Sequence, residues 1–537
     1  MQAPERAMTL ISFLLFTIAV AAATYFLTRN TDQSGKDGFF LAGRSLGPIV
    51  IAGSILLTNL STEQIVGLNG GAYTDGVVVT AWETLAGVSM VVLALIFLPR
   101  YLKSGLTTTP EYLEKRFDGT TRLMAEMLFL TGYVVILLPM VLASGALFMS
   151  TVFDVPALFG GSKDAAIWAT VWAIGLIGSA YAIFGGLKGV VVSDTINGIG
   201  LMIGGLMIPF YGLAEVAKQA GGSGIADGWR TLTESNPEKF DAIVFASENP
   251  DVSVPFTTLF TGVILLHLFY WNTNQVIVQR TLGARSLADG QKGVLLAATL
   301  KLLGPLIIVI PGIIAFHLYG EQIGDAQDEA YGTLVKGVLP APLTGFFAAV
   351  IAGAILSSFN SGLNSAATLF STGIYKKKLR PEASSTQMVK IGRIFSLILA
   401  VSAMIIGPIV ALNAGGIFGY LQKANGCYAI PILAVMVCAL FTKRVPAAAA
   451  KFAILFGSLT YLLFAFVIPL PISEFHLQGI IFALTLLGMF IIGKVKPRPE
   501  PFVQQHSGDV DITPWRFAYP VSAFTVTGAV ATYLYFS

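Results

Sequence analysis

Charged side chains are scarce in this chain. Only 12% of its 537 residues are Asp, Glu, Lys or Arg, roughly half the share of an ordinary soluble protein. Hydrophobic residues make up 55%, and the mean hydropathy is +0.74. The net charge of +3 is too small to indicate a nucleic-acid partner. The composition therefore predicts a polytopic, all-α membrane protein that is surrounded by a lipid bilayer.

Residues that carry covalent, metal or nucleotide chemistry are also few. The two cysteines, Cys427 and Cys438, lie in one predicted helix and suit neither a disulfide framework nor a zinc site. The four histidines are scattered, without the spacing of metal ligands. The sequence shows no phosphate-binding P-loop and no evident nucleophile–base pair. We therefore expect a protein that is not an enzyme, has no resident cofactor and is not driven by ATP.

Long apolar runs are abundant. Hydropathy predicts about fourteen membrane-spanning helices of ~20 residues or more. Their approximate bounds are 7–27, 46–73, 77–99, 123–149, 165–184, 189–213, 255–278, 293–318, 343–375, 390–412, 416–441, 447–468, 472–492 and 515–536.

Basic residues fall on every second loop between these spans. The clusters are Arg29, Lys36 and Arg44; Arg100, Lys103, Lys115 and Arg116; Lys188; Arg280, Arg285 and Lys292; Lys376, Lys377, Lys378 and Arg380; Lys443 and Arg444; and Lys494, Lys496 and Arg498. The positive-inside rule places these loops in the cytoplasm and both termini outside, in a plasma membrane, with the bacterial inner membrane favoured. Cleavage of a signal peptide near 21–23 would invert this orientation; an uncleaved first helix is the preferred interpretation.

The second span contains a polar interruption. Residues 54–68 read Ser-Ile-Leu-Leu-Thr-Asn-Leu-Ser-Thr-Glu-Gln-Ile-Val-Gly-Leu. Hydrocarbon offers no hydrogen bonds, and Ser, Thr and Asn side chains compete for backbone partners. We therefore predict a helix that is broken near its midpoint and faces a watery cavity. Secondary transporters bind an ion and a solute together at such a break.

The seventh span has a similar interruption at His267, Asn272, Thr273, Asn274 and Gln275. Four spans separate it from the second, and the two run in opposite directions. Matched broken helices of opposite direction indicate inverted repeats with a site at their interface.

The predicted organisation is a single transmembrane transporter domain over 1–537. Two repeats of five spans each form its core, with one extra helix before them and three after. The parts are an N-terminal helix and cytoplasmic loop (1–45), the first repeat (46–213), an external loop (214–254), the second repeat (255–441) and C-terminal helices (442–537).

The ionisable residues inside the predicted spans include Glu63, Glu83, Asp194, His267 and Lys301. A charge at mid-membrane costs roughly 2.5–3.5 kcal/mol on insertion scales, so each must pair, point inward or line water. Glu83 and Lys301 could neutralise each other and lock helices together, or bind a polar solute; the rarity of such groups favours a function. Glu63 is equally compatible with holding the local fold.

The ninth span carries adjacent hydroxyls at Ser357 and Ser358. A hard cation such as sodium takes about five or six oxygen ligands, which hydroxyls and freed carbonyls can supply. The alternative is that each serine bonds back to its own helix. The broken second span, as a source of carbonyls, favours the cation.

Six segments together carry a family resemblance. They are 39–46 (Phe-Phe-Leu-Ala-Gly-Arg-Ser-Leu), 59–67 (Asn-Leu-Ser-Thr-Glu-Gln-Ile-Val-Gly), 109–117 (Thr-Pro-Glu-Tyr-Leu-Glu-Lys-Arg-Phe), 181–187 (Tyr-Ala-Ile-Phe-Gly-Gly-Leu), 274–282 (Asn-Gln-Val-Ile-Val-Gln-Arg-Thr-Leu) and 364–370 (Asn-Ser-Ala-Ala-Thr-Leu-Phe). The chain resembles the sodium/solute symporters, in particular the branch of bacterial and animal sodium–glucose/galactose cotransporters, over nearly its whole length.

The resemblance implies a LeuT-type five-plus-five inverted-repeat fold and sodium-coupled symport of a sugar, a hexose or related polyol, into the cell by alternating access. The sodium ligands it implies are the carbonyls of Leu57, Leu60 and Ala354 and the hydroxyls of Ser357 and Ser358. The sugar-binding residues it implies are Asn59, Gln64, Glu83, Lys301 and Gln422. Asp194 matches an acidic residue on the sodium exit side. Tyr270 would close the sugar from the cytoplasm, and Leu68, Trp82 and Phe418 would form outer gates.

The chain also departs from the family pattern. His267 stands where galactose carriers have a sugar-binding Asn, and we count it as substrate-binding; Ala86 replaces a Ser and Leu68 a Met. Asn360 stands near the place of a hydroxyl that binds a second sodium in some relatives, so we expect one sodium per solute. Other solutes (an amino acid, a carboxylate, an inositol or a modified sugar), coupling to protons through His267 or Asp194, and a non-transporting sensor stay open. We expect a monomer or weak homo-oligomer.

Overall fold

The computed structural model describes residues 3–29, 41–413 and 416–537, and the side chains of these except 3 and 181–188. Three predictions therefore fall outside the described part. They concern Lys36 in the first basic loop, Phe39 and Phe40 in the first family segment, and the side chains of 181–188, which include the fourth family segment and Lys188.

The described residues form twenty-one α-helices and no β-strand. In chain order they are α1 (Ala3–Thr28), α2 (Pro48–Asn59), α3 (Thr62–Asp75), α4 (Ala81–Val92), α5 (Leu98–Lys103), α6 (Thr109–Arg116), α7 (Gly119–Gly132), α8 (Leu138–Phe153), α9 (Lys163–Gln219), α10 (Ile225–Ser235), α11 (Gly262–Asn272), α12 (Gln275–Leu282), α13 (Leu287–Leu300), α14 (Ile310–Ile323), α15 (Ala330–Val338), α16 (Ala341–Leu369), α17 (Ser385–Asn413), α18 (Ile417–Phe441), α19 (Ala447–Leu462), α20 (Glu474–Val495) and α21 (Ala518–Tyr535).

Several predicted spans consist of two helices joined by a tighter or wider turn. A π-helical turn at Leu93–Phe97 joins α4 to α5, and another at Tyr133–Leu137 joins α7 to α8. Within the described ranges, ten helical segments are long and apolar enough to cross a bilayer, and α2 and α11 are shorter apolar helices. The all-helical membrane fold is therefore confirmed, whereas the number fourteen and the repeat symmetry remain predictions.

Helix α9 covers the predicted fifth and sixth spans. Its 57 residues would be about 85 Å long if straight, nearly three times the hydrocarbon thickness of a bilayer. Gly178 lies against Leu356 and Phe359 of α16, whereas Gly200 lies against Val350, only two turns away. The two parts of α9, 163–180 and 189–219, therefore lie beside one another along α16. It ends at Gln219, and α10 follows inside the predicted external loop.

The two ends of the helix bundle differ in charge. At one end, here called the basic face, Lys115 Nζ donates to the carbonyl of Ser104 (2.6 Å). Arg116 donates to the carbonyls of Thr442 and Val445, both at 3.1 Å. This is the end that the basic loops predict to be cytoplasmic.

The opposite end, here called the acidic face, carries the loop between α14 and α15. Lys163 Nζ lies 2.5 Å from Glu329 Oε1, and the backbone N–H of Ile417 donates to Asp328 Oδ2 (3.1 Å). Burial raises the pKa of Asp328 to about 6, although hydrogen bonds from two backbone N–H groups oppose the shift. This loop ties the start of α18 to the end of α14.

The turn between α3 and α4 requires glycine. Gly76 has φ +73°, and a Cβ there would lie 2.2 Å from the carbonyl oxygen of Lys239. Lys239 Nζ in turn donates to the carbonyls of Tyr73 and Thr74. The connection before α11 thus covers the end of α3 that lies at the acidic face.

We expect Gly76→Ala to lower the melting temperature of the detergent-solubilised protein, because strained backbone of this kind costs about 1–3 kcal/mol. Gly320→Ala in α14 is the control, since a Cβ there meets no heavy atom within 4 Å. Equal melting temperatures for the two variants would contradict the strain argument.

Candidate functional site

The second predicted span is broken as the sequence indicates. Helix α2 ends at Asn59, α3 begins at Thr62, and Leu60 (ψ 50°) and Ser61 (ψ 175°) leave the helical conformation between them. Leu60 and Ser61 are buried. The carbonyl of Ser61 accepts the backbone N–H groups of the first turn of α3, as a residue before a helix does. The prediction of a buried break in this span is confirmed.

Helix α16 passes directly beside this break. Ser358 Oγ donates to the carbonyl of Thr58 (3.1 Å), which joins the two elements. Ser357 Oγ is buried, within hydrogen-bond reach of the Asp194 side chain. The predicted sodium ligands are thus residues of two buried stretches that meet here; they are Leu57, Leu60, Ala354, Ser357 and Ser358. Neutral oxygens without a carboxylate suit a singly charged hard cation better than a divalent one.

No transition-metal site competes with this assignment in the part of the chain that the structure describes. There, no group of three or more His, Cys, Asp or Glu side chains could hold a metal ion. The oxygens of the break therefore offer the clearer cation chemistry.

Four of the predicted solute-binding residues form one buried polar network. Lys301 Nζ lies 2.6 Å from Glu83 Oε2 and donates to Asn59 Oδ1 (2.5 Å). Gln64 Nε2 donates to Glu83 Oε1 (2.8 Å). A Cβ at Gly304 would lie 2.0 Å from Glu83 Oε2, so only glycine permits this approach. The side chains of Glu83 and Lys301 are fully buried, and their charges neutralise one another.

A cavity of about 50 Å³ lies beside this network. Six predicted site residues line it: Asn59, Gln64, Trp82, His267, Tyr270 and Gln422. Glu83 and Lys301 lie behind Asn59 and Gln64, one hydrogen bond away from the cavity. In the structure these two charged side chains do not line the cavity and contact it only through Asn59 and Gln64. The resemblance, in contrast, implied that they bind the solute directly.

Two buried nitrogens on the cavity wall have no hydrogen-bond partner: His267 Nε2 and Trp271 Nε1. His267 was a predicted site residue and Trp271 was not, because an aromatic residue in an apolar span most often packs in the core. Its position next to Tyr270 in an interrupted span was the available signal. A solute with hydroxyl groups could satisfy both nitrogens.

Aromatic rings close the cavity toward the acidic face. The Trp82 ring centroid lies 5.1 Å from that of Phe418, 5.7 Å from Phe475 and 5.3 Å from the His267 ring. Beyond them lies a second cavity of about 390 Å³, which Leu68 also lines. The three predicted outer gates are thus together, and Phe475 of α20 joins them. Sequence reasoning missed Phe475 because nothing in its surroundings relates the C-terminal helices to the core.

The seventh predicted span is also broken, between α11 and α12. The Asn274 side chain accepts the N–H of Val276 (3.2 Å) and the hydroxyl of Tyr133 (2.7 Å). The Tyr101 hydroxyl donates to the carbonyl of Asn272 (2.7 Å), the last residue of α11. The predicted second interruption is confirmed, and protein donors satisfy groups on both of its sides.

The cavity is closed toward the basic face by a second set of rings. Tyr270 lines the cavity, and Phe269 packs edge-on against Tyr428 with centroids 5.3 Å apart. Phe129 stacks on Phe269 at 6.0 Å. Tyr270, the predicted inner gate, is therefore accompanied by the rings of Phe129, Phe269 and Tyr428.

Asp194 lies in a buried cluster near Ser357. Ser54 Oγ donates to Asp194 Oδ2 (2.7 Å), and Arg280 Nη2 lies 3.6 Å from the same oxygen. The prediction that Arg280 lies in a basic loop is wrong. Helix α12 continues to Leu282, and Arg280 is only 1% exposed. A cationic residue close to a basic loop gives no sequence signal that it is buried.

Comparisons with known proteins place the chain in a family. Residues 39–457 match the model of the sodium:solute symporter family. The chain belongs to this family. The uncharacterized symporter YidK of Escherichia coli K12 is 44% identical over 507 residues, covering 94% of this chain and 87% of that protein. The sodium/glucose cotransporter of Vibrio parahaemolyticus is 29% identical over 510 residues, 90% of each chain. The sodium/myo-inositol cotransporter 2 of Sus scrofa is 30% identical over 496 residues, 87% of this chain and 71% of that one.

Solved structures share the fold of this symporter. A Na⁺-coupled sialic acid symporter in a substrate-bound outward-open state has a TM-score of 0.76 at 18% identity, covering 93% of this chain and 99% of the other. MHP1, a nucleobase-cation-symport-1 family transporter, has a TM-score of 0.52 at 15% identity, covering 90% and 99%. At such identities the likeness shows the fold alone. Family membership makes the chain a membrane-spanning transporter and supports sodium as its coupling ion.

We expect Lys301→Met to lower stability by about 3–5 kcal/mol, because it leaves the buried Glu83 carboxylate unpaired. The double variant Lys301→Met/Glu83→Gln should lose less, since no charge remains. Thermal melting in detergent measures both. Lys423→Met is the control: its partner Glu474 is 3.4 Å away and both are partly exposed, so it should cost no more than about 1 kcal/mol. A double variant no more stable than Lys301→Met would contradict the ion-pair argument.

Proposed function

We propose that this protein is a secondary active transporter that carries a sugar, a hexose or related polyol, into the cell together with sodium. One observation carries the proposal: two neighbouring residues at the first break serve the two sites. The Thr58 carbonyl accepts from Ser358, and the Asn59 side chain accepts from Lys301. Ordering the break around a cation therefore also fixes the group that faces the solute cavity.

Sodium would be held by the carbonyls of Leu57, Leu60 and Ala354 and by the hydroxyls of Ser357 and Ser358. Their burial supports this assignment, because a buried polar oxygen gains from a partner that replaces water. We propose one sodium per solute, with Asp194 on its exit route.

The solute would be neutral and rich in hydroxyl groups. Glu83 lies 2.6 Å from Lys301, so the cation is not available to a free carboxylate. The cavity offers amide groups from Asn59, Gln64 and Gln422 and nitrogens from His267 and Trp271. Aromatic walls with convergent polar groups suit a sugar or an inositol. The relatives named sodium/glucose and sodium/myo-inositol cotransporters support the same class.

Transport would proceed by alternating access between two gates. Leu68, Trp82 and Phe418 would close the solute from outside, and Tyr270 would close it from inside. We propose that 46–213 and 255–441 are inverted repeats within fourteen spans, and that the basic face is cytoplasmic, with both termini outside the plasma membrane. A monomer or weak homo-oligomer would suffice, since one chain supplies every residue named above.

The coupling is energetically sufficient. One sodium ion moving through 100 mV releases about 2.3 kcal/mol, enough to concentrate a neutral solute roughly 50-fold. Coupling needs only that sodium stabilise the conformation that binds solute, and the solute must then tighten sodium binding equally.

We expect Ser358→Ala to raise the sodium concentration for half-maximal uptake of glucose or myo-inositol by about tenfold, because it removes one ligand. Uptake into proteoliposomes with and without an inward sodium gradient measures this and also tests symport itself. Ser396→Ala is the matched control, since Ser396 is equally buried and also donates to a carbonyl of another helix, that of Leu363. Unchanged sodium dependence in Ser358→Ala would remove this residue from the site.

We expect His267→Asn to change the relative uptake of galactose, glucose and myo-inositol, because the imidazole is one of the unpartnered groups on the cavity wall. His317→Asn is the control, since His317 lies on α14 beside Asn236, near the acidic face. Competition against one labelled sugar in proteoliposomes gives the profile. An identical profile in His267→Asn and the parent would make His267 a packing residue.

A further inference from the structure

Arg280 is a buried charge that the proposed transport cycle does not use. It lies on α12, in a segment that carries the family resemblance, and is among the largest fully buried side chains of the described chain. Burial of a guanidinium costs much free energy unless hydrogen bonds and an opposite charge offset it. The contacts of Arg280 therefore indicate its role.

The guanidinium of Arg280 joins three other elements. Nε donates to Ser54 Oγ of α2 (2.8 Å), and Nη2 contacts Ser361 Oγ of α16 and lies 3.6 Å from Asp194 Oδ2 of α9. Ser361 Oγ donates to the carbonyl of Ser357 (2.5 Å), a residue of the proposed sodium site. Arg280 is thus connected to the sodium site through one serine.

The position of this cluster along the helices places it between the sodium site and the basic face. Helix α16 runs toward the basic face, and Ser361 is one turn beyond Ser357. Helix α2 runs away from that face, and Ser54 precedes the break by one to two turns. A sodium ion that leaves toward the basic face therefore passes Asp194, whose buried carboxylate is within hydrogen-bond reach of the Ser357 hydroxyl.

A bare carboxylate at this point would attract sodium out of its site, because opposite charges in a weakly screened interior interact strongly. We propose that Arg280 masks the Asp194 carboxylate, so that sodium stays in its site until α12 moves and uncovers Asp194. The proposal rests on the proposed sodium symport. It gives Arg280 a gating role that a mere fold-stabilising pair would not have.

Hydrogen bonds add to the apolar packing of α12. This helix has only eight residues; Val276, Ile277, Val278 and Leu282 pack in the apolar core, and polar side chains bond to neighbouring elements. Gln279 Nε2 donates to Thr368 Oγ1 (3.1 Å), and Ser365 Oγ donates to Gln279 Oε1 (2.9 Å). Water can replace such hydrogen bonds when the basic face opens, at little net cost.

The test is uptake of ²²Na⁺ into proteoliposomes without any solute. Arg280→Gln should raise this uptake about tenfold over the parent, the size expected for an uncovered unit charge one or two helical turns away. Arg280→Lys keeps a positive charge and should leak much less. The double variant Arg280→Gln/Asp194→Asn should also leak little, because the carboxylate is gone.

Arg116→Gln is the matched control. Arg116 is equally buried, but its hydrogen bonds go to carbonyl and hydroxyl groups near the basic face, and it lies over the rings of Phe117 and Phe502. It should lower the melting temperature without raising solute-independent sodium uptake.

Three outcomes would overturn the proposal: no leak in folded Arg280→Gln, an equal leak in Arg280→Lys, or an equal leak in the double variant. Thermal melting with and without sodium identifies folded variants that bind the ion. If Arg280→Gln does not fold, Asp194→Asn decides: slower coupled uptake with sodium affinity within about twofold supports the mask, and uptake at the parent's rate refutes it. If the parent shows no sodium-driven uptake, the proposed function fails before this inference is reached.

Discussion

The fold depends on one constraint: a backbone polar group inside a bilayer must find a partner within the protein or its cargo. Two breaks, one in the second predicted span and one in the seventh, meet this constraint differently. At the break in the seventh span, the Tyr101 hydroxyl donates to the carbonyl of Asn272, and the Asn274 side chain caps α12. At the break in the second span, the Ser358 hydroxyl donates to the Thr58 carbonyl, and the neighbouring oxygens are those that we assign to sodium. We therefore assign the two similar interruptions separate roles, one structural and one, as proposed, ligand-binding.

The buried charges follow the same logic. Glu83 and Lys301 neutralise one another behind Asn59 and Gln64, so the amides of these two residues line the cavity in place of the paired charges. Asp194 and Arg280 form a second pair at a longer distance, with serines between the helices. In both clusters the cost of burial is offset by several bonds to each ion. The first pair is tight and suits a fixed scaffold, whereas the looser second pair suits a part that moves.

Much of this arrangement was predictable because polar residues stand out in apolar runs. The two breaks and the polar residues around them carried such a signal. The predicted gate residues Leu68, Trp82 and Phe418 are apolar and came from the family resemblance alone; they line one cavity. Arg280 carried no such signal, because a cation at the end of an apolar run looks like a loop residue. Trp271 and Phe475 were not identified, since aromatic side chains in membrane helices do not reveal whether they face a cavity. The indirect position of Glu83 and Lys301 depends on side-chain packing, which periodicity cannot show.

The adjacency of Thr58 and Asn59 also restricts how such a carrier can diversify during evolution. A substitution on the α2 side of the proposed solute cavity alters the backbone that we assign to the ion, so a gain in selectivity there risks a loss of the sodium coupling. The opposite wall carries His267 on α11 and Gln422 on α18, and neither residue is among the proposed sodium ligands. Substitutions that change solute selectivity should therefore be more frequent on that wall than on the wall formed by α2.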